Sequence, residues 1–182
     1  DVARKVMTGY SVMVTEIVAQ ITDELPTHVF VQGGVGGLAA TVCEYFRIAY
    51  GDRAPKFIVV EPELAPCLYL SAEAEQAIAV DVVEETVMAG LSCGEVSSVA
   101  WPVLFHYAND FLTIPDALVA PTMKILANPF GGDDPIVAGE SAVAGLAGFI
   151  AATQCDELKR TLNLESDSRV LVIGTEGATD PA

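Results

Sequence analysis

The sequence predicts an α/β protein, a three-layer αβα sandwich in which helices cover both faces of a mostly parallel sheet. Short apolar runs rich in β-branched residues, such as HVFVQ at 28–32, lack polar-apolar alternation and therefore indicate strands buried on both faces. These runs alternate with segments whose apolar residues recur every three or four positions, as in helices. The 182 residues, 52% of them hydrophobic, suffice for one well-packed core, so we predict a single α/β domain over 1–182.

The first third of the chain predicts a helix followed by a β-α-β unit. Apolar residues at three- and four-residue steps predict an amphipathic helix over 2–24, and Pro26 prevents its continuation. The apolar runs at 28–32 and 57–60 predict two buried strands. Between them, one apolar face over 38–49 predicts the connecting helix, so the crossover should be right-handed.

The rest of the chain predicts two further strands and four further helices. The strands are FLTI at 111–114 and VLVI at 170–173. The helices are expected over 64–75, 101–109, 116–127 and 141–153. Pro121 lies beyond the first positions of the third of these helices, where it should kink or shorten the helix.

Composition excludes several classes of function. With 25 acidic and 9 basic residues, the net charge of -16 repels nucleic-acid backbones and anionic membrane surfaces, so neither is expected as a partner. No apolar run approaches the roughly 20 residues that cross a bilayer, and no signal peptide is visible, so we expect a cytoplasmic protein. The four cysteines form no CxxC motif, so neither a metal site nor a disulfide framework is expected.

A glycine-rich stretch follows the first predicted strand and opens the next helix. Glycines permit positive φ and let backbone N–H groups approach an anion, and the positive end of the helix dipole near Gly37 adds to the attraction. The stretch at 34–39 fits the GxGxxA dinucleotide fingerprint, with Glu61 at the end of the next strand as a ribose ligand. It lacks the Gly-Lys-Ser/Thr ending of a triphosphate loop. A phosphate bound by backbone N–H groups is the prediction, and a turn without a ligand is the alternative.

Further segments carry a resemblance to a known family. They are EPELAPCLYLSAEAE, ETVMAGLSCGE, NPFGGDDPIVAGESAVAGLAG and VLVIGTEGATD. With THVFVQGGVGG they resemble, in order and with matching spacing from about residue 6 to the end, the diaminopropionate ammonia-lyase family. That family belongs to fold type II, or the β-family, of pyridoxal-phosphate (PLP) enzymes, together with threonine dehydratase and the tryptophan synthase β subunit. The resemblance implies that the chain forms the larger domain of such an enzyme.

The resemblance implies a cofactor, PLP, and a loop that wraps its phosphate. The loop residues are Gly33, Gly34, Val35, Gly36 and Gly37. At the ring end, the family has a Ser or Thr hydroxyl on the pyridine nitrogen. Gly174 stands at the family's serine position and cannot supply that hydroxyl, so either the chain lacks this partner or Thr175 supplies it, and the role is assigned to Thr175.

Two more segments are placed near the cofactor by the same resemblance. Glu140, followed by Ser141, is expected beside the cofactor ring, although both could instead cap the helix predicted over 141–153. The loop residues Ser92, Cys93 and Gly94 are expected on the substrate side, with Cys93 as a buried small hydrophobe the alternative. His28 and His106 belong to no motif, so structural roles are expected for them.

The resemblance also implies that the catalytic lysine lies elsewhere. In this fold type the lysine that carries the cofactor as a Schiff base precedes the phosphate loop, as does the acid that assists proton transfer. The lysines of this chain are Lys5, Lys56, Lys124 and Lys159, and none lies in a matching motif. The chain begins at Asp1 inside a predicted helix and ends shortly after a strand, so we expect it to be the C-terminal part of a longer enzyme and inactive alone.

The expected reaction of the whole enzyme is the elimination of ammonia from 2,3-diaminopropionate, which yields pyruvate and ammonia, in a homodimer. Three alternatives stay open at this point. The first is a fold type II serine or threonine dehydratase. The second is a nicotinamide-dependent oxidoreductase that uses the GxGxxA loop. The third is a non-catalytic ligand-binding or regulatory domain.

Overall fold

A computed structural model of the chain describes residues 2–22 and 24–178, which form four strands and seven α-helices. The strands are β1 (His28–Gln32), β2 (Lys56–Pro62), β3 (Asp110–Ile114) and β4 (Val170–Val172). The helices are α1 (Val2–Gln20), α2 (Gly37–Tyr50), α3 (Cys67–Glu73), α4 (Trp101–Tyr107), α5 (Val119–Ala127), α6 (Ala144–Gln154) and α7 (Asp156–Leu162). No helix among these residues is long and apolar enough to cross a membrane.

The four strands form one fully parallel sheet in the order β3-β2-β1-β4. β1 lies between β2 and β4, with Val29 opposite both Phe57 and Leu171. Every residue of β1 is buried, which is why its sequence shows no polar-apolar alternation. The predicted parallel sheet is confirmed.

Helices cover both faces of the sheet. Val29 and Val31 point to the side where α1, α2 and α4 pack, and Phe30 points to the side of α5, α6 and α7. Two glycines let α6 approach the sheet closely: a Cβ at Gly145 would lie 2.7 Å from the Phe30 carbonyl oxygen, and one at Gly148 would lie 2.8 Å from Val60 Cγ2. The three-layer αβα architecture is therefore confirmed.

Several predicted boundaries change. α1 ends at Gln20, whereas the prediction ran to 24 and included Asp23, which lies outside the described residues, as do Asp1 and 179–182. α5 begins at Val119, after a 3-10 turn, and Pro121 therefore occupies the first turn, where its missing N–H costs no hydrogen bond. The predicted shortening at Pro121 is confirmed.

One helix was missed. α7 follows α6 after the single extended residue Cys155 and ends at Leu162, and the next residue, Asn163, caps it in the left-handed conformation with φ 56°. Its first turn contains Asp156 and Glu157, and its last turn contains basic residues, a charge order that suits the helix dipole. That order is the sequence signal that could have predicted α7.

Candidate cofactor-binding site

A cavity of about 450 Å³ opens at the carboxyl ends of β1 and β4. β2, the next strand in the sequence, lies on one side of β1. β4, the last strand in the sequence, lies on the other side. This is a topological switch point, where ligands of parallel α/β sheets usually bind. The glycine loop, one face of α1 and the turn at Ala89–Leu91 line the cavity, together with Ser141 and Thr175.

The glycine loop presents the free end of α2 to this cavity. Gly36 is the N-cap of α2 with φ 94°, and no side chain caps the helix. The first intrahelical bond runs from Ala40 N to Gly36 O over 2.9 Å. The N–H groups of Gly37, Leu38 and Ala39 therefore have no intrahelical acceptor and are placed to bind an anion.

The glycines of the loop also satisfy packing constraints, and this corrects the role expected of Gly33. Its N–H donates to the Val60 carbonyl oxygen (2.9 Å), so Gly33 extends the sheet and has no N–H left for a phosphate. A Cβ at Gly36 would lie 2.8 Å from Leu104 Cδ1, in the core rather than in the cavity. A Cβ at Gly34 would lie 3.2 Å from the Gly90 carbonyl oxygen, on the cavity wall.

Thr175 reaches the cavity from the segment after β4. Its Oγ1 accepts a hydrogen bond from Gln32 Nε2 at 3.0 Å. Gln32 is the last residue of β1 and is only 3% exposed. Sequence analysis assigned no role to Gln32, although a polar residue that ends an otherwise apolar strand just before the glycine loop was the available signal.

Ser141 forms part of the cavity wall, but Glu140 does not. Ser141 Oγ accepts the Gly90 N–H (3.1 Å), and Ser141 N donates to Glu176 Oε2 (2.7 Å). Glu140 is exposed and lies outside the cavity lining. Because α6 starts only at Ala144, without a side-chain cap, the capping alternative for Glu140 and Ser141 is wrong. Glu176 was missed, although it belongs to the TEG motif.

The loop at 92–94 is divided between two depressions. Cys93 lines both this cavity and a more open neighbouring depression, whereas Ser92 and Gly94 line only the second. Burial raises the pKa of the Cys93 thiol, which therefore stays protonated and is a poor nucleophile. Of the three residues expected on the substrate side, the structure brings only Cys93 to the cavity.

Glu61 lies outside the cavity lining, and its side chain accepts hydrogen bonds from the first turn of α3. It is fully buried, and its carboxylate accepts the N–H groups of Leu68 (2.9 Å) and Tyr69 (2.6 Å). Burial raises the pKa of the Glu61 carboxyl to about 7. The dinucleotide hypothesis required this carboxylate to bind a ribose, and the two backbone hydrogen bonds show that this assignment is wrong.

The basic and imidazole side chains lie away from the cavity. None of the four lysines, all within the described residues, lines it, and Lys56 Nζ lies 3.5 Å from the Leu162 carbonyl oxygen near the start of β2. The imidazole of His28 bonds the same carbonyl oxygen at 2.8 Å, which gives His28 a structural contact at the start of β1. His106 is exposed on α4.

Fold and site together define an α/β protein with a cavity at the switch point of a parallel sheet, where the uncapped N-terminus of α2 suits an anionic ligand. Residues 3–176 match the model of the family described as pyridoxal-phosphate dependent enzyme. The chain belongs to this family, and its cofactor is pyridoxal phosphate.

The chain is similar to individual diaminopropionate ammonia-lyases. It is 39% identical to that of Escherichia coli strain K12 over 96% of this chain, and 37% identical to that of Salmonella typhimurium over 97%. The crystal structure of the E. coli enzyme in complex with an aminoacrylate-PLP azomethine reaction intermediate matches with a TM-score of 0.87 and 38% identity, over 96% of this chain and 45% of that one. The chain spans about half the length of these curated relatives, 45% and 46%. The predicted resemblance is confirmed.

Proposed function

We propose that the protein carrying this chain is a PLP-dependent carbon–nitrogen lyase that eliminates ammonia from 2,3-diaminopropionate and yields pyruvate and ammonia. The observation that carries the proposal is the uncapped N-terminus of α2, whose free N–H groups face a cavity at the switch point of the sheet. The identity to diaminopropionate ammonia-lyases supports the choice of substrate. On the same resemblance we propose a cytoplasmic homodimer.

The residues present fit PLP. A cavity of about 450 Å³ falls within the usual size of a small-molecule site. The N–H groups of the loop from Gly34 to Gly37, together with those of Leu38 and Ala39, would hold the phosphate, a role that the chain's few basic residues do not fill. Thr175 would offer its hydroxyl to the pyridine nitrogen. When bound, PLP supplies an electron sink for the electrons released at the substrate's α-carbon.

The chain's own residues would bind and orient without transferring the α-proton. The Cys93 thiol is protonated, and the Glu176 carboxylate accepts the Ser141 N–H on the cavity wall. The lysine that this chemistry needs would come from a segment outside the chain, since none of its lysines lines the cavity. We therefore expect the chain alone to bind the cofactor only weakly, because the covalent anchor is missing, and without turnover.

A titration of the chain with PLP, pyridoxal and NAD tests this proposal. We expect saturable PLP binding by calorimetry, binding of pyridoxal at least about ten-fold weaker because it lacks the phosphate, and no NAD binding. Incubation with diaminopropionate and PLP should yield no pyruvate, and borohydride should trap no stoichiometric lysine adduct. Equal affinities for PLP and pyridoxal would contradict the phosphate site, and pyruvate formation would contradict the missing lysine.

A further inference from the structure

Gln32 is a buried polar residue with one satisfied and one unsatisfied end. Its Nε2 donates to Thr175 Oγ1 at 3.0 Å, while its Oε1 is buried with no hydrogen-bond partner. A buried acceptor without a partner destabilises the fold, so an apolar side chain would serve the core better at this position. The presence of an amide therefore points to a role for the end that contacts Thr175.

The orientation of this amide decides what Thr175 can do. With Nε2 toward Thr175, the amide leaves one acceptor and one N–H without partners. In the structure Nε2, and not Oε1, faces the Thr175 hydroxyl, and the reversed amide would place both N–H donors in the buried position that Oε1 now occupies. Unsatisfied buried N–H groups are rarer than unsatisfied carbonyl oxygens, so the first orientation is favoured.

In this orientation the Thr175 hydroxyl accepts a hydrogen bond from Gln32. A hydroxyl has one proton and two lone pairs, and Gln32 occupies one lone pair. Within the described part of the chain Gln32 is the one hydrogen-bond partner of this hydroxyl, and Thr175 is exposed at the cavity. The proton is therefore free to point into the cavity.

We infer that Gln32 is a positioning residue that turns Thr175 into a hydrogen-bond donor toward the cofactor's pyridine nitrogen. This inference rests on the proposed function. A ring nitrogen that accepts a hydrogen bond uses its lone pair and is itself unprotonated. By orienting the Thr175 hydroxyl as the donor, Gln32 therefore favours the unprotonated ring. Gln32 acts through Thr175.

The substitution Gln32→Met tests this role because it keeps the length of the side chain and removes both the donor and the unsatisfied acceptor. We expect PLP binding, measured by calorimetry on the whole chain, to weaken about two- to ten-fold. Binding of 1-deazapyridoxal phosphate, which has a C–H in place of the ring nitrogen, should stay unchanged. The melting temperature should stay equal or rise, and Gln32→Leu provides a second apolar replacement.

A double-mutant cycle with Thr175→Val isolates the coupling. In the Thr175→Val background, Gln32→Met should have no further effect on PLP affinity, because the hydroxyl that it orients is gone. Unchanged PLP affinity in Gln32→Met, equal weakening of both probes, or loss of folding in both apolar variants would overturn the inference. If the unaltered chain binds no PLP, or binds PLP and pyridoxal equally, the proposed function itself fails.

Discussion

Two strand-to-helix junctions at the same edge of the sheet differ in whether a side chain accepts hydrogen bonds from the first N–H groups of the helix. Between β2 and α3, the carboxylate of Glu61 accepts the N–H groups of Leu68 and Tyr69. Between β1 and α2, Gly36 occupies the N-cap and no side chain accepts the helix donors. One junction is closed by the protein itself, and the other is left open for a ligand.

Residues of the closed junction pack directly against the glycine loop of the open one. Leu68, which follows the closed junction, would lie 2.7 Å from a Cβ at Gly33, so the two loops are in tight contact. The Cys67 thiol lies 3.7 Å from Glu61 Oε1 and 3.5 Å from the Gly34 carbonyl oxygen. Burial, together with the neighbouring Glu61, raises the pKa of Cys67 to about 12, so this thiol remains a donor between the loops. A buried carboxylate near a glycine loop can therefore be structural, and the donors left free at the other junction are the ones proposed to bind the ligand.

The largest expected effect comes from opening the closed junction. Glu61→Ala should lower the free energy of unfolding by about 4 kcal/mol near pH 5, because it leaves buried N–H groups without their acceptor and creates a void. Urea unfolding followed by circular dichroism measures this change. Glu63→Ala, two residues further on and exposed, is the matched control and should be nearly neutral. Equal effects in both variants would show that the carboxylate does not hold α3.

The pH dependence of stability tests the same carboxyl without removing its volume. Its pKa is raised from 4.5 to about 7, so the unfolded chain ionises first as the pH rises, and the folded state loses relative stability until about pH 7. Between pH 4.5 and pH 8 the unaltered chain should lose about 3 kcal/mol more unfolding free energy than Glu61→Gln, which does not titrate. Parallel curves for the two proteins would contradict the raised pKa.

A smaller effect is expected at the open junction. Gly36→Ala should cost about 2 kcal/mol of stability, because φ is 94° and the new Cβ would lie 2.8 Å from Leu104 Cδ1. Gly37→Ala is the matched control, since its Cβ would meet Met7 at an ordinary 3.6 Å in the first turn of a helix. Thermal unfolding of both variants should therefore separate them clearly. If Gly36→Ala is as stable as Gly37→Ala, the loop conformation described for Gly36 is wrong.

The smallest effect is expected on the cavity wall. Ser141→Ala removes the hydroxyl that accepts the Gly90 N–H and should cost about 1 kcal/mol. Ser98→Ala, at an exposed position, serves as the control and should change the unfolding free energy by no more than about 0.5 kcal/mol. Chemical denaturation of both variants gives the comparison, and a neutral Ser141→Ala would mean that this hydrogen bond adds nothing to the wall.

The sequence predicts local features of this fold better than the contacts between distant segments. β1 was predicted to the residue because an unbroken apolar run between a proline and a glycine loop allows few other structures. The pairing of Gln32 with Thr175, 143 residues apart, depends on β4 lying beside β1, which periodicity does not reveal. Glu61 was misassigned because a carboxylate that ends a strand gives the same sequence pattern whether it faces a ligand or the next helix.

The central claim is that the free N–H groups of the open junction bind the cofactor's phosphate. Amide ¹H–¹⁵N spectra of the labelled chain, recorded during a titration with PLP, test it most directly. We predict saturable shifts that are largest from Val35 to Ala39, with much smaller shifts for the amides of Leu68 and Tyr69, whose donors are already bonded to Glu61. Largest shifts at Leu68 and Tyr69, or no saturable shift from Val35 to Ala39, would contradict the claim.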